Sequence, residues 1–147
     1  MGVIRTIKQG LIEKVSALPE FNKVYGYERL NPGGFPAAFI TFAGQENEFW
    51  TNAENKRVYI YRMLVLYQIG NTPLGEVNPD EMEVAEEAIQ DLVEDAIDAV
   101  DSDYTLGNST EVLFIDAVIG EPGYVEYEGG VARSAEVMLR VHSVYVV

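Results

Sequence analysis

The chain has one histidine and no cysteine, which narrows the chemistry open to it. A zinc site draws several ligands from His and Cys, so His142 alone does not make one. Ser143 follows His142, but neighbours in a strand point to opposite faces. No Gly-x-Ser-x-Gly turn is present to raise a serine nucleophile either. His142 beside Arg140 reads as a histidine on the surface face of a strand. Gly33-Gly34 is followed by Phe35 and lacks the Lys-Ser/Thr that closes a P-loop, and no dinucleotide fingerprint occurs. Asp101-Ser102-Asp103 with Thr105 imitates the opening of a calcium loop. Its sixth position, however, is Leu106, where glycine makes the turn, and its twelfth is Val112, where a bidentate glutamate belongs. With 24 Asp and Glu in 147 residues, some carboxylate pair always lies close enough to look like an acid and base, so proximity carries no information. No catalytic, cofactor-binding or metal-ligating residue emerges, no cofactor is expected, and the chain is not expected to be an enzyme.

The acids are concentrated in the segment Asn78 to Asp101, NPDEMEVAEEAIQDLVEDAIDAVD. Asn78 suits an N-cap, Pro79 suits the first helical turn where its missing N–H costs nothing, and Asp80, Glu81 and Glu83 sit where the helix dipole favours negative charge. Met82, Ala85, Ile89, Leu92, Val93, Ala96, Ile97 and Val100 recur at helical spacing and form one buried face. The rest of the surface is acidic. Between Asp80 and Asp101 no Lys or Arg is available for the i,i+4 ion pairs that normally soften such a face. A plain solvated acidic surface is the simplest reading; Glu83, Glu87, Asp91, Glu94 and Asp98 are the candidates for a functional one.

The formal charge of −14 is laid down unevenly. Residues 1–62 hold eight bases and six acids, whereas residues 63–147 hold two bases and eighteen acids. Affinity for nucleic acid comes from Lys and Arg neutralising phosphates, so tight nucleic-acid binding is not expected. A basic partner, or copies of the chain meeting through surfaces of opposite sign, fits the pattern better. There is no apolar run of membrane-spanning length and no signal-peptide core at the N-terminus, so a soluble, cytoplasmic protein without membrane association is expected.

The remaining elements follow from periodicity. Val3, Ile4, Ile7, Leu11, Ile12, Val15 and Leu18 form a helical stripe ended by Pro19. A short strand carrying Val24, Tyr25 and Tyr27 is expected within Asn22 to Leu30, a second at Ala37 to Ala43, and a polar hairpin tip, with some extended strand as the alternative for part of it, from Gly44 to Arg57. The strongest strand is Val58 to Ile69, with further strands at Val112 to Ile119, at Tyr124 to Tyr127 and at Val131 to Val147. These elements predict a single α+β domain over residues 1–147. Its expected form is a mixed or antiparallel sheet with two helices packed on one face, in the order helix, strands, helix, strands. Both faces of Val58 to Ile69 are apolar, whereas a sheet covered from one side should show polar alternation on the open face. The second face is therefore either closed by curling of the sheet or buried against another subunit. Tyr59, Tyr61, Tyr67, Arg62 and Trp50 are the interface candidates, with Lys56 and Arg57 as partners for a neighbour's acids.

In size and element order the chain resembles the tail terminator, minor tail and head-to-tail joining proteins of long-tailed bacteriophages and prophages. The resemblance rests on the helix at Val3 to Leu18, the strands at Ala37 to Ala43 and Val58 to Ile69, the acidic helix, and the closing strands at Val112 to Ile119 and Val131 to Val147. It is one of architecture, since the family carries no catalytic signature. The resemblance implies a homo-oligomer, a hexameric ring at the head-proximal end of the tail. Such a ring ends polymerisation of the tail tube protein and offers a docking surface to a head-completion or connector protein. It implies a virion location in the tail or neck, after assembly in the bacterial host cytoplasm. The acidic helix would line a lumen or a mating surface and repel passing DNA. A different class of function is a monomeric acidic binding module, a DNA-mimic inhibitor that occupies a basic partner through its carboxylates.

Overall fold

A computed structural model describes residues 2–29, 31–49, 54–70, 78–102, 112–127 and 130–146. Helix α1 spans Val3–Ser16 and is followed by strands β1 Lys23–Tyr25, β2 Ala37–Phe49 and β3 Glu54–Gly70. Helix α2 spans Pro79–Ser102 and is followed by β4 Val112–Tyr127 and β5 Gly130–Val146. The strands form one sheet in the order β1-β2-β3-β5-β4. β1 runs parallel to β2, and the other three pairings are antiparallel.

This corrects the expected fold class. The chain runs helix, three strands, helix, two strands around one five-stranded mixed sheet that holds more of the chain than the helices do. The six expected strands become five, because the hairpins run on past the apolar segments and Val112 to Ile119 joins Tyr124 to Tyr127 in one strand. β2 continues through Gln45-Glu46-Asn47, paired with β3 residues down to Asn55, and β4 continues through Glu121-Pro122-Gly123 to Tyr127 against β5. Antiparallel pairing in such ribbons is carried by backbone hydrogen bonds, which leave no alternation in the side chains. Bulges between Phe42 and Gly44 and between Ile119 and Pro122 absorb the register change.

The helices form for the reasons the sequence suggests. The Asn78 carbonyl oxygen of the side chain accepts from the Glu81 N–H at 2.9 Å, and the Asn78 amide donates to the Glu81 carboxylate at 3.0 Å. This reciprocal cap opens α2. Asn78→Ala is expected to cost about 1 kcal/mol in urea-induced unfolding. α1 ends at Ser16, two residues before the expected Leu18, where the Ala17 N–H bonds back to the Glu13 carbonyl at 3.2 Å.

The main core joins Ile7, Leu11 and Val15 of α1 and Ile89, Leu92, Val93, Ala96 and Val100 of α2 to Tyr59, Tyr61, Met63 and Val65 of β3 and Val137, Leu139 and Val141 of β5. Each aliphatic side chain fully buried there stabilises the fold by about 1.5–3 kcal/mol. A second small cluster sits on the other face of β3. Phe39, Leu66 and Ala132 are buried there, with Tyr25, Phe35, Leu64 and Tyr127 packed around them. The chain thus covers one end of the sheet's second face itself, which answers part of the doubly apolar pattern of β3.

Candidate functional site

The second face of the sheet, beyond the small cluster, is an ion-pair ladder. Arg62 donates to Glu136 at 2.8 Å and also pairs with Glu28. Arg140 donates to Glu46 at 3.0 Å and lies 3.9 Å from Asp116. His142 meets Asp116 at 2.8 Å through Nε2 and stacks on Phe114 with ring centroids 4.0 Å apart. His142 is 6% exposed, which corrects its placement as a surface histidine. Phe114 roofs the ring, and Lys56 lies over the outer side of Phe114 at 5.1 Å. The ladder joins β2, β3, β4 and β5 by charge, where the sequence shows only an apolar strand. The guanidinium of Arg62 is held charged chiefly by its hydrogen bond to Glu136.

The residues singled out in the sequence separate clearly. Tyr59 and Tyr61 lie in the main core, and Tyr61 is 0% exposed with its hydroxyl donating to the Ile4 carbonyl at 2.6 Å. Burial raises the Tyr61 pKa well above the ordinary tyrosine range. The interface assignment of these two tyrosines is therefore corrected: they face the helices, and a neighbouring copy cannot reach them. Tyr67 is half-buried against the same core. Arg62 belongs to the ladder, Lys56 and Arg57 are half-buried, and Trp50 lies outside the described residues. Glu83, Glu87, Asp91, Glu94 and Asp98 are all exposed along α2. The calcium-like stretch falls mostly on residues outside those described. Among the described residues, no group of three His, Cys, Asp or Glu could hold a metal. No described helix is long and apolar enough to cross a membrane.

Arg133 is the residue that sequence reasoning passed over. Its Nε donates to Glu86 of α2 at 2.7 Å, its Nη1 donates to the Gly123 carbonyl of β4 at 2.8 Å and to the Ser134 carbonyl at 2.9 Å, and its guanidinium lies over Tyr124. One buried cation thus ties the acidic helix to the β4–β5 hairpin. The signal was present in the count of bases, since Arg133 and Arg140 are the two in residues 63–147 and both lie on β5. Arg133 also holds the Glu86 carboxyl below the ordinary carboxylate range, chiefly through their hydrogen bond. A depressed carboxylate contributes stability that is complete above its unfolded pKa and is lost as pH falls through the folded one. Acid unfolding of Glu86→Gln should accordingly show a shallower loss of stability below pH 4.5 than the parent, followed by far-UV circular dichroism.

No protein-family model matches the chain, and no curated protein matches it. Among solved structures, the chain is similar to one from the virion of a native gene transfer agent particle, with a TM-score of 0.44 and 9% identity over 97% of this chain and 98% of that one.

The exposed apolar surface is concentrated in one place. Leu113, Phe114, Val118, Ile119, Tyr124 and Val125 are exposed large hydrophobics, and all six lie on β4, a strand at the edge of the sheet. Ile119 is 61% exposed and Val118 55%, on opposite faces of the strand. Beside β4 runs a groove of ≈ 390 Å³ whose floor is Ile89, Val93, Ile97, Ile119, Pro122 and Ala135, and whose α2 rim carries Glu86, Glu94 and Asp98.

Proposed function

We propose that this chain is a non-catalytic structural subunit of a phage-type virion, forming a hexameric ring at the head-proximal end of the tail. The ring ends polymerisation of the tail tube and gives the head-completion or connector protein its docking surface. The observation that carries the reading is β4. A long edge strand with apolar side chains exposed on both faces is a liability in a monomer; Glu121, Pro122 and the neighbouring bulge blunt one end of β4, but Leu113, Phe114, Val118 and Ile119 stay exposed along the rest. Its persistence here fits a surface that another chain covers. The architectural resemblance supplies which assembly. The uninterrupted acids of α2 suit a lumen or mating surface past which DNA moves without sticking, since they repel phosphates.

The test adds the purified protein to polymerising tail-tube subunits and scores tube length by negative-stain electron microscopy. Substoichiometric protein should cap the tubes and shorten their length distribution. Unchanged tube growth, together with salt-sensitive capture of a basic protein by a monomer, would favour the DNA-mimic reading instead.

A further inference from the structure

We infer that copies of this chain join head to tail by pairing the outer edge of β4 on one copy with the free edge of β2 on the next. This inference names the interface of the ring proposed above and rests on that reading for its closure.

Two observations carry it independently of the resemblance. First, the sheet has two open edges on opposite sides. β1 covers β2 only at Ala37, Ala38 and Phe39, and from Ile40 to Phe49 the outer edge of β2 pairs with no strand among the described residues. Among the described residues, β4 pairs with β5 on one side only. Alternating antiparallel steps from β2 through β3 and β5 leave β4 running opposite to β2. Continuing the sheet from one copy to the next therefore makes an antiparallel pair, with no reversal of either subunit. The apolar surface matches this arrangement: Phe42 is exposed on β2, the strand that receives β4, and Val3 is exposed on α1, the helix packed on β1 and β2.

Second, the charges beside the two edges are complementary. α1, which lies against β1 and β2, carries Arg5, Lys8 and Lys14 against the single acid Glu13. α2, which lies against β3, β5 and β4, carries acids and no base. Edge pairing sets the acidic groove rim of one copy beside the basic helix of the next, while a β4-to-β4 contact sets two acidic helices together, at a cost in repulsion. A contact between unlike surfaces is heterologous, and it closes into a ring when the rotation per copy divides the circle.

The absence of native cysteine makes the test clean. Gln45→Cys on β2 is combined with Ile119→Cys or with Ala117→Cys on β4, residues on the helix-facing side of the sheet. The full-length protein is treated with a short bismaleimide and run on a denaturing gel beside each single-cysteine variant. The wild type is sized by native mass spectrometry in parallel. A covalent ladder extending beyond dimer in a double variant, absent from the singles, is the expected result. Val118→Lys/Ile119→Lys should be monomeric and folded, with the unfolding midpoint of the wild type at dilutions where the wild type is itself monomeric, because both side chains are more than half exposed. Dimers from Ile119→Cys alone would overturn the inference in favour of an isologous contact. No ladder from a wild type that forms rings would overturn it and leave the ring reading intact. No ladder from a wild type that stays monomeric, with tail-tube ends supplied as a template as well as without them, would overturn both.

Discussion

Replacing Tyr61 by alanine is expected to cost about 3–5 kcal/mol in chemical denaturation, the largest single-residue loss in stability. The ring fills the space between α1 and the sheet, touches Phe42 edge-on at 5.6 Å between centroids, and is fully buried. Truncation to alanine leaves a cavity whose walls are the helix and the sheet, both too regular to collapse into it. Tyr61→Phe keeps the packing and removes only the bond from the hydroxyl to the Ile4 carbonyl, so about 1 kcal/mol is expected. A large difference between the two variants assigns the effect to packing. Equal losses would mean that the hydrogen bond holds the start of α1 in place.

Arg133→Met carries the second large effect, about 2–3 kcal/mol, because charge-assisted hydrogen bonds are worth more than neutral ones. Methionine retains much of the side chain's apolar packing but leaves the Gly123 and Ser134 carbonyls and the Glu86 carboxylate without the guanidinium. Glu86 reaches solvent, so the cost falls short of that for orphaning a fully buried charge. The loss should be local as well as global: hydrogen exchange should speed up in the first turns of α2 and at the Gly120 to Tyr127 end of β4, while β3 keeps its protection until global unfolding. Uniform acceleration across the sheet would show that Arg133 does not specifically join the acidic helix to the hairpin.

What could be read from the sequence follows the side-chain pattern. α2 was legible nearly to the residue because cap, proline, dipole and apolar stripe agree, and its buried set includes Ala85, Ile89, Leu92, Val93, Ala96 and Val100. The paired ends of β2 and β3 were not legible, nor was the Gly120 to Gly123 stretch that joins the expected strand at Val112 to Ile119 to the one at Tyr124 to Tyr127. Polar residues, Gly120, Pro122 and Gly123 there serve a ribbon held by its backbone, and bulges break the period of two. The tyrosines of β3 were misread because strand alternation says that two residues share a face and does not say which face the helices cover. The second face of β3 was half understood. Phe35 and Tyr127, which help close its upper end, come from segments far apart in the chain, and the Arg62 and Arg140 ladder needs the sheet order before any partner can be named. The exposed apolar edge was invisible for the same reason: Val112 to Ile119 reads as a good strand, and only its place at the end of the sheet order leaves those side chains uncovered.

The central claim is that the folded chain is a ring subunit, and the native mass of the wild-type protein across a concentration series from low micromolar to near millimolar tests it most directly. The account predicts a discrete species of six times the 16.4 kDa chain, growing with concentration at the expense of monomer and disappearing in Val118→Lys/Ile119→Lys. A single monomeric species at every concentration, unchanged when tail-tube ends are supplied as a template, would contradict it.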